Sequence, residues 1–75
     1  MEKLIELITE YEDSILNEES NKIIMNKYLR IERYMSKNNL TNKDLLEALE
    51  DLGACSQISV LYDWYEDLEY RMVVK

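Results

Sequence analysis

The stretch LYDWYEDLEY, residues 61–70, brings together the side chains with the most chemistry to offer: Asp63, Glu66, Asp67 and Glu69, interleaved with Tyr62, Trp64, Tyr65 and Tyr70. Carboxylates three or four positions apart fall on one side of a helix, about 5–6 Å from one another. Groups placed in that way could exchange protons, hold a hard cation or meet a cationic surface. Proton exchange requires a pocket that moves their pKa values, and a chain of 75 residues has little volume in which to form one. An EF-hand would need alternating oxygen ligands around a central glycine, a spacing the acidic runs lack. A cationic surface needs nothing beyond the carboxylates themselves.

The remainder of the chain removes most other chemistries. It has no histidine and a single cysteine, Cys55, so neither a nucleophile–histidine pair nor a thiolate or imidazole metal site can be assembled. Cys55 near a helix start could have a lowered pKa, but without a partner it reads as a small turn residue. A glycine-rich phosphate loop is also missing. The expectation is a binding protein and not an enzyme, with no catalytic residue, metal or cofactor. A lone cysteine suits a reducing compartment, and MEKLIELITEYEDS has neither the basic start nor the apolar run of a signal peptide. No stretch approaches the roughly 20 apolar residues of a membrane span, so a cytoplasmic location and no membrane partner are expected.

The elements that must position these side chains read as helices throughout, because the chain has no proline and Gly53 is its only glycine. Leu4, Ile8, Tyr11 and Ile15 follow the spacing of one helix face, widened by Ile5, Leu7 and Leu16, with Glu2, Glu6, Glu10 and Asp13 opposite. The polar run NEES at 17–20 breaks that helix, and Asn17 or Ser20 caps the next. A second face follows at Ile24, Tyr28, Ile31 and Met35, flanked by Met25 and Leu29. Lys22, Lys27, Arg30, Arg33 and Lys37 project from its other side. Thr41 and Asp44 form a variant capping box with Leu40 and Leu45 at the staple positions. This predicts a third helix from about 42 to 52, with Leu45, Leu46, Leu49 and Leu52 inward and Gly53 as the left-handed residue beyond its end. Ser56 then caps a fourth helix that turns Ile58, Leu61, Tyr65, Leu68 and Met72 inward, with Val73 and Val74 fraying or packing as a tail. The expected fold is all-α, a single domain over 1–75 built as a small bundle of three to four short helices.

Charge is distributed in blocks. Seven acids and one lysine occupy residues 1–20, six bases and one acid occupy 21–43, and eight acids with no base occupy 44–70. The net charge of −7 opposes direct contact with nucleic acid or anionic membrane over the whole surface. The segment DLLEALEDLGACSQISVLYDWYEDL, with Ala48, Gly53 and Ser56-Gln57, resembles a helix-turn-helix, which implies a second helix lying in the major groove. That helix offers Asp63, Glu66, Asp67 and Glu69 and no base before Arg71, so direct DNA reading is not expected. Of the signature of the small two-helix phosphatases of sporulation phosphorelays, SQISV keeps only Ser56 and Gln57 and lacks the acid. The basic second helix reads first as an internal complement to its acidic neighbours, with a binding face for nucleic acid as the alternative.

On a helical wheel of the fourth helix, Asp63, Glu66, Asp67 and Tyr70 gather away from Leu61, Tyr65 and Leu68, while Val60 and Trp64 fall beside that stripe. The plain reading of such a face is solvated charge. The functional reading adds Glu47 and Asp51 from the third helix and acids from the first, with Trp64 and Tyr62 or Tyr70 as aromatic anchors. DNA carries a charge about every 1.7 Å of axis, so several acidic stripes together would approximate a phosphate track and fit the basic groove of a nucleic-acid-handling protein. In size, charge and acid–aromatic composition, chiefly YDWYEDLEY and TEYEDS, the chain resembles small acidic inhibitors of phages and mobile elements, the anti-CRISPR and DNA-mimic proteins. That resemblance implies binding a host nuclease or DNA-binding protein and blocking its substrate site. The alternative is a self-associating helical regulator or structural subunit, a homodimer in which acidic and basic blocks mate and Val60 and Trp64 are buried between protomers.

Overall fold

Where each helix begins and ends follows from which side chains and backbone conformations can satisfy its free amides and carbonyls. The computed structural model describes residues 2–73, the side chain of Val73 excepted, as α1 (Glu2–Leu16), α2 (Asn21–Lys37), α3 (Asn42–Asp51) and α4 (Tyr62–Val73). No strand occurs among the described residues, and the fold is the expected small all-α bundle. Ser20 caps α2, its Oγ accepting from the Ile23 N–H at 3.4 Å. Thr41 caps α3 reciprocally: its Oγ1 accepts from the Asp44 N–H at 3.4 Å, and its own N–H donates to Asp44 Oδ2 at 2.8 Å.

The first three helices stop in the same way. Beyond each lies a residue with positive φ: Glu18 at 52°, Asn39 at 55° and Gly53 at 78°. The following amide reaches back five residues to close a Schellman motif: Glu19 to the Ser14 carbonyl (3.1 Å), Leu40 to Met35 (2.8 Å) and Ala54 to Leu49 (2.9 Å). Gly53 adopts this conformation freely and Asn39 tolerates it, whereas Glu18 must hold a Cβ where the left-handed region crowds it.

α1 packs along α2 and touches α3, and α3 packs along α4. The core is made by Leu4, Leu7 and Ile8 of α1, Ile31 of α2, Leu45, Ala48 and Leu49 of α3, Ala54, and Leu61 and Leu68 at α4. Ser14 is also buried, and its Oγ donates to the Tyr11 carbonyl at 2.7 Å; among the described residues no buried side-chain nitrogen or oxygen lacks a hydrogen-bond partner. Leu7, expected at the margin of the α1 face, is more buried than Ile15, and Leu16 is exposed. On α2 only Ile31 of the expected face is fully buried; Ile24, Tyr28 and Met35 are half-buried and Met25 is exposed. α2 therefore covers one side of the core as a lid, and its far side stands in solvent.

The largest departure concerns residues 52–61. They form consecutive turns and not the start of a helix capped by Ser56, and Ile58, expected inward, is 93% exposed. Ser59 Oγ accepts from the Leu61 N–H at 3.1 Å and Ser56 Oγ from the Ile58 N–H at 3.5 Å, so hydroxyls capture amides that a helix would use. The β-branched Ile58 and Val60 weaken the helical alternative further. This long connection also corrects the helix-turn-helix likeness, whose two helices are joined by a turn of about 3–4 residues. The described part of α4 keeps Leu61 and Leu68 buried with Tyr65 and Met72 half-buried; the tail formed by the Val73 side chain and Val74 lies outside the described residues.

Relieving the strained helix end should stabilise the fold. Glu18→Gly is expected to raise stability by about 1 kcal/mol, and Gly53→Ala to lower it by a similar amount although open space surrounds the added Cβ. Urea unfolding followed by circular dichroism measures both; shifts in the same direction would contradict the cap geometry.

Candidate acidic interface

α4 begins where Leu61 can be buried and its carbonyl can accept from the Tyr65 N–H (2.9 Å), and this anchoring orients all later residues of the helix. With Leu61 and Leu68 inward, Asp63, Glu66, Asp67 and Tyr70 are exposed together and line a shallow surface depression of about 280 Å³. These four residues are the part of the expected site that the fold assembles. Among the described residues one intramolecular ion pair touches them, Arg71 Nη2 to Asp67 Oδ2 at 3.0 Å, with both side chains at least half exposed.

Trp64 does not belong to that face. Its ring packs against Tyr11 of α1 with centroids 5.4 Å apart in an edge-on arrangement and against Tyr28 of α2 at 5.6 Å, while Tyr11 and Tyr28 are themselves 5.7 Å apart. Trp64 is half-buried against the core, which corrects its assignment as an outward anchor. The wheel places Trp64 at the border between core and solvent, and the two tyrosines from other helices draw it inward. Burial raises the phenol pKa of both Tyr11 and Tyr28. Tyr70, 65% exposed, remains the aromatic group beside the carboxylates, whereas Val60, 40% exposed, lies in the turns before α4 and not on its helical face.

Among the acids of α3, Glu50 meets α4, whereas the expected Glu47 and Asp51 are exposed and hydrogen-bond nothing on α4 among the described residues. The Tyr65 hydroxyl lies 3.3 Å from Glu50 Oε1 and 3.4 Å from Glu69 Oε2. One phenolic proton serves one carboxylate at a time, so the second adds unneutralised charge. Partial burial of Tyr65, followed by the charges of Glu50 and Glu69, pushes its phenol up to about 12. Glu50 and Glu69 thus extend the acidic surface; the i, i+4 spacing of Tyr65 and Glu69 is the sequence signal that could have found half of this cluster.

Glu10 likewise leaves the solvent side expected for it and accepts from Lys27 Nζ at 3.3 Å and Arg30 Nη1 at 3.2 Å across the α1–α2 seam. The Lys27 hydrogen bond and the neighbouring Arg30 charge hold its carboxyl below the usual range despite some desolvation. Lys27 and Arg30 are therefore internal complements. Lys22, Arg33 and Lys37 are exposed with no carboxylate within 4.0 Å among the described residues.

No group of histidine, cysteine or acidic residues suited to a metal occurs among the described residues, and no helix is long and apolar enough to cross a membrane. Comparison with family models, with curated proteins and with solved structures returns no match to this chain.

Two outcomes check this geometry. Trp64→Ala is expected to lower unfolding free energy by about 3 kcal/mol, read from urea melts, where a truly surface residue would cost under about 0.5 kcal/mol. Because Tyr65 binds its proton more tightly when folded, it contributes stability below pH about 10 that is lost as pH rises through about 12. Phenolate absorbance against pH should show a step at about 12 in wild type that moves to lower pH in Glu50→Gln; coincident curves would contradict the Glu50 contact.

Proposed function

We propose that this chain is a small, non-catalytic binding protein that inhibits a basic, nucleic-acid-handling protein by laying the outer face of α4 in its substrate groove. The observation that carries the reading is the exposed set Asp63, Glu66, Asp67 and Tyr70 on one face of α4, with Glu69 and Glu50 beside it. Carboxylates at this spacing meet Lys and Arg side chains that otherwise hold phosphates, and they contribute mainly association rate and orientation. Lasting affinity needs desolvated apolar or aromatic contact. Tyr70 supplies it, in place of Trp64, which is engaged inside the bundle.

The anti-CRISPR and DNA-mimic likeness supports the same reading. Its cytoplasmic setting follows from the partner: a protein that competes with DNA for a nuclease or DNA-binding protein must share its compartment. Charge supports it too: Asp63 and Glu66 make no ion pair within 4.0 Å among the described residues, which leaves them free to receive an external cation.

Immobilised protein should capture a nuclease or DNA-binding protein from the native host's lysate, and added DNA should release it. The combined variant Asp63→Asn, Glu66→Gln, Asp67→Asn should weaken capture at least about tenfold, roughly 1.4 kcal/mol, with helicity by circular dichroism unchanged. Undiminished capture by that folded variant would remove the α4 face from the account.

A further inference from the structure

We propose that the groove between α2 and α4 is a binding site for a small zwitterion with an apolar body, a free α-amino acid with a large apolar side chain. Among the described residues the two backbones nowhere come within 8 Å of each other, Cα to Cα, and the cleft between them measures about 290 Å³. That is the lower end of the range for ligand pockets, room for one small molecule and not for a helix or strand of a partner. Ile31, Leu45 and Leu68, all buried, make its floor, and the half-buried Tyr28, Met35 and Trp64 make its walls. An apolar or aromatic side chain laid there covers surface that the bundle leaves uncovered.

The charges decide which apolar molecule fits. Glu32 lines the groove from α2 and Arg71 lines it from α4, and both are exposed. They do not pair with each other, and Glu32 has no cation within 4.0 Å among the described residues. Both act on the Tyr28 hydroxyl, whose pKa is raised by burial and then by Glu32 and is lowered by Arg71, so the two charges stand near the same group. A carboxylate and a guanidinium that face one cleft from opposite helices, over an apolar floor, are matched by a molecule carrying an ammonium, a carboxylate and an apolar body together. The ammonium meets Glu32 and the carboxylate meets Arg71. Arg71 already donates from Nη2 to Asp67 at 3.0 Å, but that pair is exposed and therefore weak, and a guanidinium has further N–H groups to give a second carboxylate.

Molecules with only one of these charges fit less well. An amine without the carboxylate meets Arg71 uncompensated, an acid without the ammonium meets Glu32 in the same way, and a neutral apolar molecule desolvates both charges without pairing either. The site stands apart from the function proposed above, because its lining shares no residue with the set Asp63, Glu66, Asp67 and Tyr70.

Titration of isotope-labelled protein with L-phenylalanine, followed at the indole N–H resonance of Trp64, the chain's single tryptophan, tests the site. A small ligand in an open cleft is expected to saturate with a Kd on the order of 5 mM. Phenethylamine and hydrocinnamate keep the ring and lack the carboxylate or the ammonium; each should bind at least about threefold more weakly. Glu32→Gln should weaken L-phenylalanine and phenethylamine by at least about threefold without weakening hydrocinnamate. Arg71→Gln should weaken L-phenylalanine and hydrocinnamate without weakening phenethylamine. Both variants should keep wild-type helicity, since both side chains are exposed. The absence of a saturable shift up to about 50 mM, single-charge probes that bind the wild type as tightly as L-phenylalanine does, or variants that leave its affinity unchanged would each overturn the proposal.

Discussion

The bundle depends on one three-way contact, the packing of Trp64 against Tyr11 and Tyr28. α1 and α2 form one helical pair and α3 and α4 another, with backbone contact between the pairs confined to α1 and α3. α4 has no backbone neighbour in the first pair, so it meets that pair through side chains, Leu61 and Leu68 in the core and the Trp64 ring at its edge. Aromatic pairs contribute about 0.5–1.5 kcal/mol each beyond area burial, and a small domain is stable by about 5–15 kcal/mol in all. Three mutually touching rings are thus a substantial share of what holds α4 in place.

That attachment divides α4 into sides with different duties. Leu61 and Leu68 enter the core, Trp64 turns toward α1 and α2, Tyr65 reaches Glu50 of α3, and the remaining side carries Asp63, Glu66, Asp67 and Tyr70 into solvent. Because rings rather than backbones span the distance to α2, a groove is left open between the two helices. One structural constraint therefore fixes both the direction of the acidic face and the cleft beside it. The basic side of α2 is split by the same packing: Lys27 and Arg30 are held by Glu10, and Lys22, Arg33 and Lys37 are left outward.

Much of this was legible where a side chain acts on its own neighbours. Ser20, Thr41 with Asp44, and Gly53 announce their helix ends because caps and left-handed residues are local chemistry, and the apolar spacing of α1 and α3 found most of the core. Glu18 was silent because an acid is no signal for a left-handed residue; only the packing of α1 on α2 forces it there. Ile58 was misread because periodicity extends a helix backward without regard for Ser56 and Ser59, whose hydroxyls hold the amides in turns. Trp64 was misread for a different reason: a wheel of one helix contains no information about Tyr11 and Tyr28. Asp63, Glu66, Asp67 and Tyr70 were legible as a set because they share a single helix, whereas Glu50 required the docking of α3 on α4.

The central claim is that α4 turns its carboxylates, and not its tryptophan, toward a partner. Carbodiimide labelling of carboxyl groups, read residue by residue by mass spectrometry with and without the captured nucleic-acid-handling protein, tests it most directly. The account predicts that protection is concentrated at Asp63, Glu66 and Asp67, with Glu2 and Glu6 of α1 labelled as in the free protein and the emission of Trp64 unchanged. Protection centred on α1, or a complex that leaves Asp63, Glu66 and Asp67 fully reactive, would contradict it.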